Sequence, residues 1–204
     1  MQIKICGLKH RANIEDVTAL NPDYVGFICY APSPRFAAEL DDETLAGVPE
    51  GIGKTAVFVN ETAENIHQLI DKYHFDVIQL HGNEGPAFCA EFKGKVTVLK
   101  AFSIDQDFDF ERLNQYVDSV DFFLFDTKTD KHGGSGKSFD WSLLDKYKLD
   151  IPFFLSGGLS LDNLGEVKSI KHPQFYGVDL NSRFEIGPGL KDIEKLKNAF
   201  ELLR

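Results

Sequence analysis

Eight short apolar runs recur along this chain, and almost none of them alternates cleanly between apolar and polar residues. They fall at residues 3–6, 24–29, 55–59, 75–80, 96–101, 122–125, 152–155 and 175–180. A strand that is apolar throughout is buried on both faces, which is the pattern of parallel sheets covered by helices. Stretches of helix length separate the runs, at 11–20, 42–46, through Tyr73 after the capping groups of Asn60-Glu61-Thr62, and at 86–92, 110–117, 141–147, 161–168 and 193–203. Eight βα units in sequence order predict a closed α/β barrel, the (β/α)8 or TIM barrel. The 204 residues lie near the short end of the barrel range, about 200 upward, so the connections must be brief. No linker or low-complexity stretch divides the chain, and one domain over 1–204 is expected. The structural rival is an open doubly wound sheet, which carries a G-x-G-x-x-G turn after its first strand. That place holds Cys6-Gly7-Leu8-Lys9-His10 here.

Barrels of this kind collect their chemistry at the carboxyl ends of the strands. Polar motifs stand there from one end of the chain to the other. Lys4-Ile5-Cys6-Gly7 closes the first run and Phe125-Asp126-Thr127 the sixth. Leu155-Ser156-Gly157-Gly158-Leu159 closes the seventh, and Val178-Asp179-Leu180-Asn181-Ser182-Arg183 the eighth. A free cysteine is commonly a small buried hydrophobe, but Cys6 at the rim is equally placed to act as a base or nucleophile. Asp126 ends an all-apolar run, where a carboxylate on a rigid strand end suits a general acid/base; the plainer alternative is a loop hydrogen bond. Gly157, Gly158, Ser182 and Arg183 stand in the loops after strands seven and eight, the usual phosphate seat of such barrels. Arg35 follows Ser33-Pro34 in a loop stiffened by two prolines, and its guanidinium suits bidentate capture of a carboxylate. His81 and Glu84 after strand four are read as structural. Gly133-Gly134-Ser135-Gly136-Lys137-Ser138 fails the phosphate-binding frame G-x-x-x-x-G-K-[ST], because Lys131 stands where the first glycine is required. It reads instead as a lid.

The formal net charge of −10 with no basic block argues against nucleic acid as a partner. A small anion held by local cations and backbone N–H groups remains compatible. Three cysteines, Cys6, Cys29 and Cys89, with no C-x-x-C pair, point to a reduced chain without disulfides or zinc. The six histidines show no metal-ligand spacing. The first strand begins almost at Met1, and no apolar stretch is long enough to span a bilayer, so the expectation is a cytoplasmic protein with neither leader nor membrane anchor.

Taken in order, these segments resemble the phosphoribosylanthranilate isomerase family of tryptophan biosynthesis. The resemblance rests on Lys4-Ile5-Cys6-Gly7, Gly26-Phe27 with Ser33-Pro34-Arg35, Val57-Phe58-Val59-Asn60, and Gln79-Leu80-His81-Gly82-Asn83-Glu84. It continues through Asp126-Thr127, Gly133-Gly134-Ser135-Gly136, Phe139-Asp140-Trp141, Ser156-Gly157-Gly158-Leu159, and Val178 to Glu185 with Pro188-Gly189. Cys29 departs from the aromatic residue usual in the family, and Tyr30-Ala31-Pro32 lacks a basic residue often found there. The second departure leaves less positive charge near a substrate carboxylate.

The resemblance implies an Amadori rearrangement of N-(5-phosphoribosyl)anthranilate to 1-(2-carboxyphenylamino)-1-deoxyribulose 5-phosphate, with no cofactor and no metal. It implies Asp126 as the acid that opens the ribose ring and Cys6 as the base that removes the C2 proton. Arg35 would hold the anthranilate carboxylate, Asp179 would orient the substrate, and Gly157, Gly158, Ser182 and Arg183 would seat the phosphate. An acid near neutral pH calls for a carboxyl pKa above about 4, and a cysteine base calls for a thiol lowered from about 8.5. Indole-glycerol-phosphate synthase, a second phosphate-binding barrel, relies on strand lysines and an extra N-terminal segment that are not evident here. A non-catalytic phosphometabolite-binding barrel would lack the rim acid or base, whereas both Cys6 and Asp126 are present. The expected partner is a small phosphorylated molecule, and the protein is expected to be a monomer or a homodimer.

Overall fold

The computed structural model describes residues 1–38, 40–127 and 141–204. Eight parallel strands close into a barrel in sequence order. They are β1 (Gln2–Cys6), β2 (Tyr24–Ile28), β3 (Gly53–Phe58), β4 (Val77–Leu80), β5 (Thr97–Ile104), β6 (Phe122–Thr127), β7 (Phe153–Ser156) and β8 (Phe175–Leu180). Closure is made by β1 on β8, with Lys4 opposite Asp179 and Ile5 opposite Leu180. The α-helices are α1 (Arg11–Thr18), α2 (Asp42–Ala46), α3 (Ala63–Tyr73), α4 (Pro86–Ala90) and α5 (Ile193–Leu203). Thr62 caps α3 as the sequence suggests, its hydroxyl accepting from the Asn65 N–H, and α3 stops at His74 in a left-handed conformation (φ 52°).

The segments Phe110–Tyr116, Trp141–Lys146 and Leu164–Ser169 form 3-10 helices rather than the α-helices their pattern suggests. A 3-10 turn closes its bond one residue sooner than an α-turn and is frequent in short connecting segments. Large aromatic side chains fill the layer beneath them. Phe125 packs on Tyr147 and Phe153 at ring-centre distances of 5.2 and 4.9 Å, and Phe123 meets Tyr147 edge to face at 6.1 Å.

Two cores result from the period-two alternation of side chains across strands. The outer core lies between barrel and helices and takes Phe27, Ile78 and Phe123 with Ile14, Ile66 and Leu196. The inner one, Val77, Leu99, Ala101, Leu124 and Phe154, fills the barrel itself. The void left there, bordered by Lys4, Tyr24, Thr55 and Phe154 among others, is about 10 Å³, so the lower barrel is closed to ligand.

The amino-terminal rim carries a repeated device. Asp23, Asp76 and Asp121 each stand just before an even-numbered strand and accept the N–H of a residue on the preceding one. The bonds run from Ile3, Lys54 and Val98, each at 2.8 Å. Broad depressions occur at this rim, one of about 460 Å³ beside Asp76 and Asp121. Its carboxylates are taken up by backbone N–H groups, and Asp121 also by the Lys93 side chain. After β8 the chain forms a hairpin that the apolar pattern does not reveal, β9 (Glu185–Gly187) against β10 (Leu190–Lys191), turning at Gly189 with φ +84°.

Candidate active site

At the opposite rim, the carboxyl ends of the strands surround a cavity of about 210 Å³. Its wall includes Cys6 from β1, Ile28 and Val57 from β2 and β3, Gln79 and His81 at β4, and Asp126 from β6. Ser156, Gly157 and Gly158 follow from β7, and Asp179, Asn181, Ser182 and Arg183 from β8, with Arg35 reaching in from the loop after β2. Every site residue named from the sequence therefore opens into one space. The Gly133–Gly136 run read as a lid, and the rejected phosphate-loop match with it, lie outside the described residues.

Cys6 ends β1 with its side chain inward and is buried. Its room comes from Gly26, its register partner on β2: a Cβ at Gly26 would lie 2.8 Å from the Cys6 sulfur. Lys4, two residues earlier and so on the same face, is also buried and donates to Asp179 Oδ1 at 3.0 Å. Asp179 and Cys6 together hold the Lys4 ammonium above its usual value despite burial. Burial pushes the Cys6 thiol up, Lys4 pulls it down, and the nearby Asp179 carboxylate pushes it up again. The lowered thiol that a cysteine base calls for is therefore not met here; the cations that would favour the thiolate, Lys4 and Lys191, are outweighed.

Cys29 sits just past β2, packed on the outer side of the barrel against the core, with Sγ 3.8 Å from the Phe27 carbonyl. Burial raises its thiol to about 12. The alternation that turns Ile28 into the cavity turns Cys29 away from it. Cys89 is buried on α4, also raised by burial, to about 11.

Asp126 is one-third exposed, with His81 Nε2 3.6 Å from Oδ2. His81, whose place in the sequence suggests a structural role, lines the cavity. Its Nδ1 meets Gln79 Nε2 at 2.8 Å. Glu84 does what the sequence suggests: it braces a loop, accepting the N–H groups of Asn60 at 2.7 Å and Gly82 at 2.9 Å and pairing with buried Lys100 at 3.2 Å. Lys100 also donates to the carbonyls of Leu80 and Gly82, so its charge is spoken for.

Gly157 and Gly158 both adopt positive φ, 85° and 63°, a region that glycine enters without a Cβ penalty. Asn163 ties the turn from below, its amide donating to Gly158 O at 3.1 Å and its carbonyl accepting from the Ser160 N–H at 2.9 Å. Ser182 and Arg183 lie in a 3-10 turn whose last residue, Phe184, is buried. That anchor turns the two preceding residues toward the rim. Arg35 does not stand alone: its guanidinium grips Glu185, with Nη2 2.7 Å from Oε2 and Nε 3.0 Å from both oxygens. Sequence reasoning missed Lys4, Glu185 and Lys191 as parts of this site. A lysine two places before Cys6 in an apolar run was the only available signal, and it fixes only Lys4.

Fold and site together define a class: a (β/α)8 barrel with a thiol, a carboxyl group and a pair of glycine- and serine-bearing loops around one cavity at the carboxyl ends of its strands. The N-(5'phosphoribosyl)anthranilate (PRA) isomerase family profile matches residues 3–202. The chain belongs to this family, the isomerases of tryptophan biosynthesis. It is 46% identical over 204 residues to the N-(5'-phosphoribosyl)anthranilate isomerase of Parabacteroides distasonis, covering 98% of this chain and 92% of the relative. The crystal structure of phosphoribosyl anthranilate isomerase from Thermotoga maritima superposes with a TM-score of 0.84 at 31% identity, over 99% of this chain and 98% of that one. A structure of the enzyme with reduced 1-(o-carboxyphenylamino)-1-deoxyribulose 5-phosphate gives 0.81 at 28% identity, over 98% and 97%. Among the described residues no helix is long and apolar enough to cross a membrane.

Proposed function

We propose that Asp126 is the general acid and Cys6 the general base of the isomerisation of N-(5-phosphoribosyl)anthranilate. The observation that carries this reading is that both side chains open into the one cavity that also holds the glycine pair and the Ser182–Arg183 turn. Asp126 gives its proton to the ribose ring oxygen, the C1–O bond breaks, and the anthranilate nitrogen stabilises the open chain as an iminium. Cys6 then takes the C2 proton. The resulting enolamine takes up a proton at C1 and loses its hydroxyl proton, leaving the ketone, so atoms and charge balance without a redox partner.

Lys4 and Lys191 favour the thiolate this requires, working against the burial that raises the Cys6 thiol. The N–H groups around Gly158 and Arg183 receive the phosphate, and Arg35 holds the anthranilate carboxylate. Its Nη1 carries no hydrogen bond among the described residues, so that side of the fork is the one offered to a ligand. Asp179, fixed by Lys4, orients the substrate.

Three single variants test the assignment, followed by the loss of anthranilate-type fluorescence. Cys6→Ala and Asp126→Asn should each lower kcat by about 10²–10⁴-fold with little change in KM. Cys29→Ala, on the far side of the strand, should stay near wild type. A fully active Cys6→Ala enzyme would sink the mechanism.

A further inference from the structure

Glu185 is the most heavily bonded carboxylate at the rim, and no step of the reaction uses it. Its side chain is only 4% exposed. Besides Arg35 it accepts from Lys191 Nζ at 2.7 Å and from the Gly189 N–H at 3.2 Å. Lys191, fully buried, extends the chain of contacts to Asn181 Oδ1 at 2.8 Å. The stem of Arg35 and the Asn181 amide then meet over Gly7, where a Cβ would lie 2.7 Å from Asn181 Oδ1 and 2.9 Å from Arg35 Cδ. The loops after β1, β2 and β8 and the β9–β10 hairpin are thus joined by one network of buried charge. Its ends are the group proposed to take a carboxylate and the turn proposed to take a phosphate.

We propose that Glu185 is a positioning residue that fixes the plane of the Arg35 guanidinium and, through Lys191 and Asn181, its distance from the phosphate turn; this rests on the reading of Arg35 as the carboxylate donor. A guanidinium gripped along its Nε–Nη2 edge cannot rotate about its stem, so the Nη1 donors are aimed before the ligand arrives. Arg35 and Lys191 outweigh a single carboxylate by one charge, so the network still favours an anion.

The competing explanation is that Glu185 merely balances charge, and the two explanations differ in sign. Glu185→Gln removes one negative charge beside an anionic ligand. If charge balance were its whole role, the ligand would bind more tightly. If positioning is its role, binding weakens by about tenfold, the loss of one well-aimed charge-assisted hydrogen bond. The probes are the reduced product, 1-(2-carboxyphenylamino)-1-deoxyribulose 5-phosphate reduced at C2, and its counterpart lacking the ring carboxylate. Glu185→Gln should weaken the first and leave the second within twofold, while kcat on the substrate changes less than KM. Glu185→Asp keeps the charge but draws the carboxylate back by one methylene. It should act in the same direction, and it serves as the measurement if the glutamine variant does not fold. Arg35→Ala separates the two levels of argument. If it weakens both probes equally, the carboxylate reading fails. If it discriminates between them and the Glu185 variants do not, or if Glu185→Gln binds either probe more tightly, the positioning role is overturned.

Discussion

Gly26→Ala should disable the enzyme through the Cys6 sulfur, although it adds only one methyl group and replaces no proposed catalytic residue. The new Cβ would stand 2.8 Å from Cys6 Sγ, 3.2 Å from its Cα and 3.3 Å from its Cβ. Carbon contacts are comfortable from about 3.5 Å, so the sulfur is too close by about 0.7 Å. The backbones cannot part easily, because Gly26 O accepts from the N–H groups of Gly7 at 2.9 Å and Leu8 at 3.0 Å. The sulfur therefore moves. A displacement on the order of 1 Å at a reacting group costs about 10²-fold in rate, and overpacking of this kind costs about 1–3 kcal/mol of stability.

The expected result is kcat lower by about 10²-fold, with KM little changed, in the fluorescence assay. The melting temperature should fall by about 2–4 °C for each kcal/mol lost in a domain of this size. The cause can be isolated in a Cys6→Ala background. With the sulfur gone, only the milder contacts to Cα and Cβ remain, so the destabilisation by Gly26→Ala should shrink by more than half. That is a coupling of about 0.5 kcal/mol or more between the two positions. Equal destabilisation in both backgrounds, or an unchanged kcat in the single variant, would refute the reasoning.

The barrel was legible because strands buried on both faces leave an unbroken apolar signature, and the eight runs map onto β1 to β8 with shifts of a few residues. The exceptions have physical causes. Phe110–Tyr116, Trp141–Lys146 and Leu164–Ser169 carry helical spacing, but over six or seven residues that spacing does not separate an α-helix from a 3-10 helix. The β9–β10 hairpin has strands of three and two residues, too short to show alternation. In the site, residues at or just past the carboxyl end of a strand could be placed on the rim from their position alone, as with Cys6, Asp126, Asp179 and Arg183. What sequence could not give was pairing. Glu185 meets Arg35 150 residues away, Asp179 meets Lys4 175 residues away, and the raised Cys6 thiol follows from burial, a property of the closed barrel. Cys29 shows the converse: one step of strand alternation takes a rim thiol out of the cavity.

The acidic clasps at the lower rim should matter for stability and not for catalysis. Asp76→Ala leaves the Lys54 N–H without its 2.8 Å acceptor, which should lower stability by about 1 kcal/mol in a denaturant titration with kcat/KM unchanged; a loss of activity at native stability would contradict the division of labour between the two rims. The last prediction concerns the pair that flanks Cys6. Burial holds its thiol above the ordinary range, Lys4 opposes that and Asp179 reinforces it, so the two neighbours should act with opposite signs. Lys4→Met removes the cation that favours the thiolate, and the alkylation of Cys6, followed with Cys29 and Cys89 replaced by alanine, should need a higher pH to reach its midpoint. It also strands Asp179 in a buried site, at about 3–5 kcal/mol. Asp179→Asn keeps an acceptor for Lys4 but removes the negative charge, so the midpoint should move down and catalysis should suffer only through substrate orientation. Midpoints that stay in place in both variants would show that the thiol is governed by burial alone, and would remove Lys4 from the account of how Cys6 becomes a base.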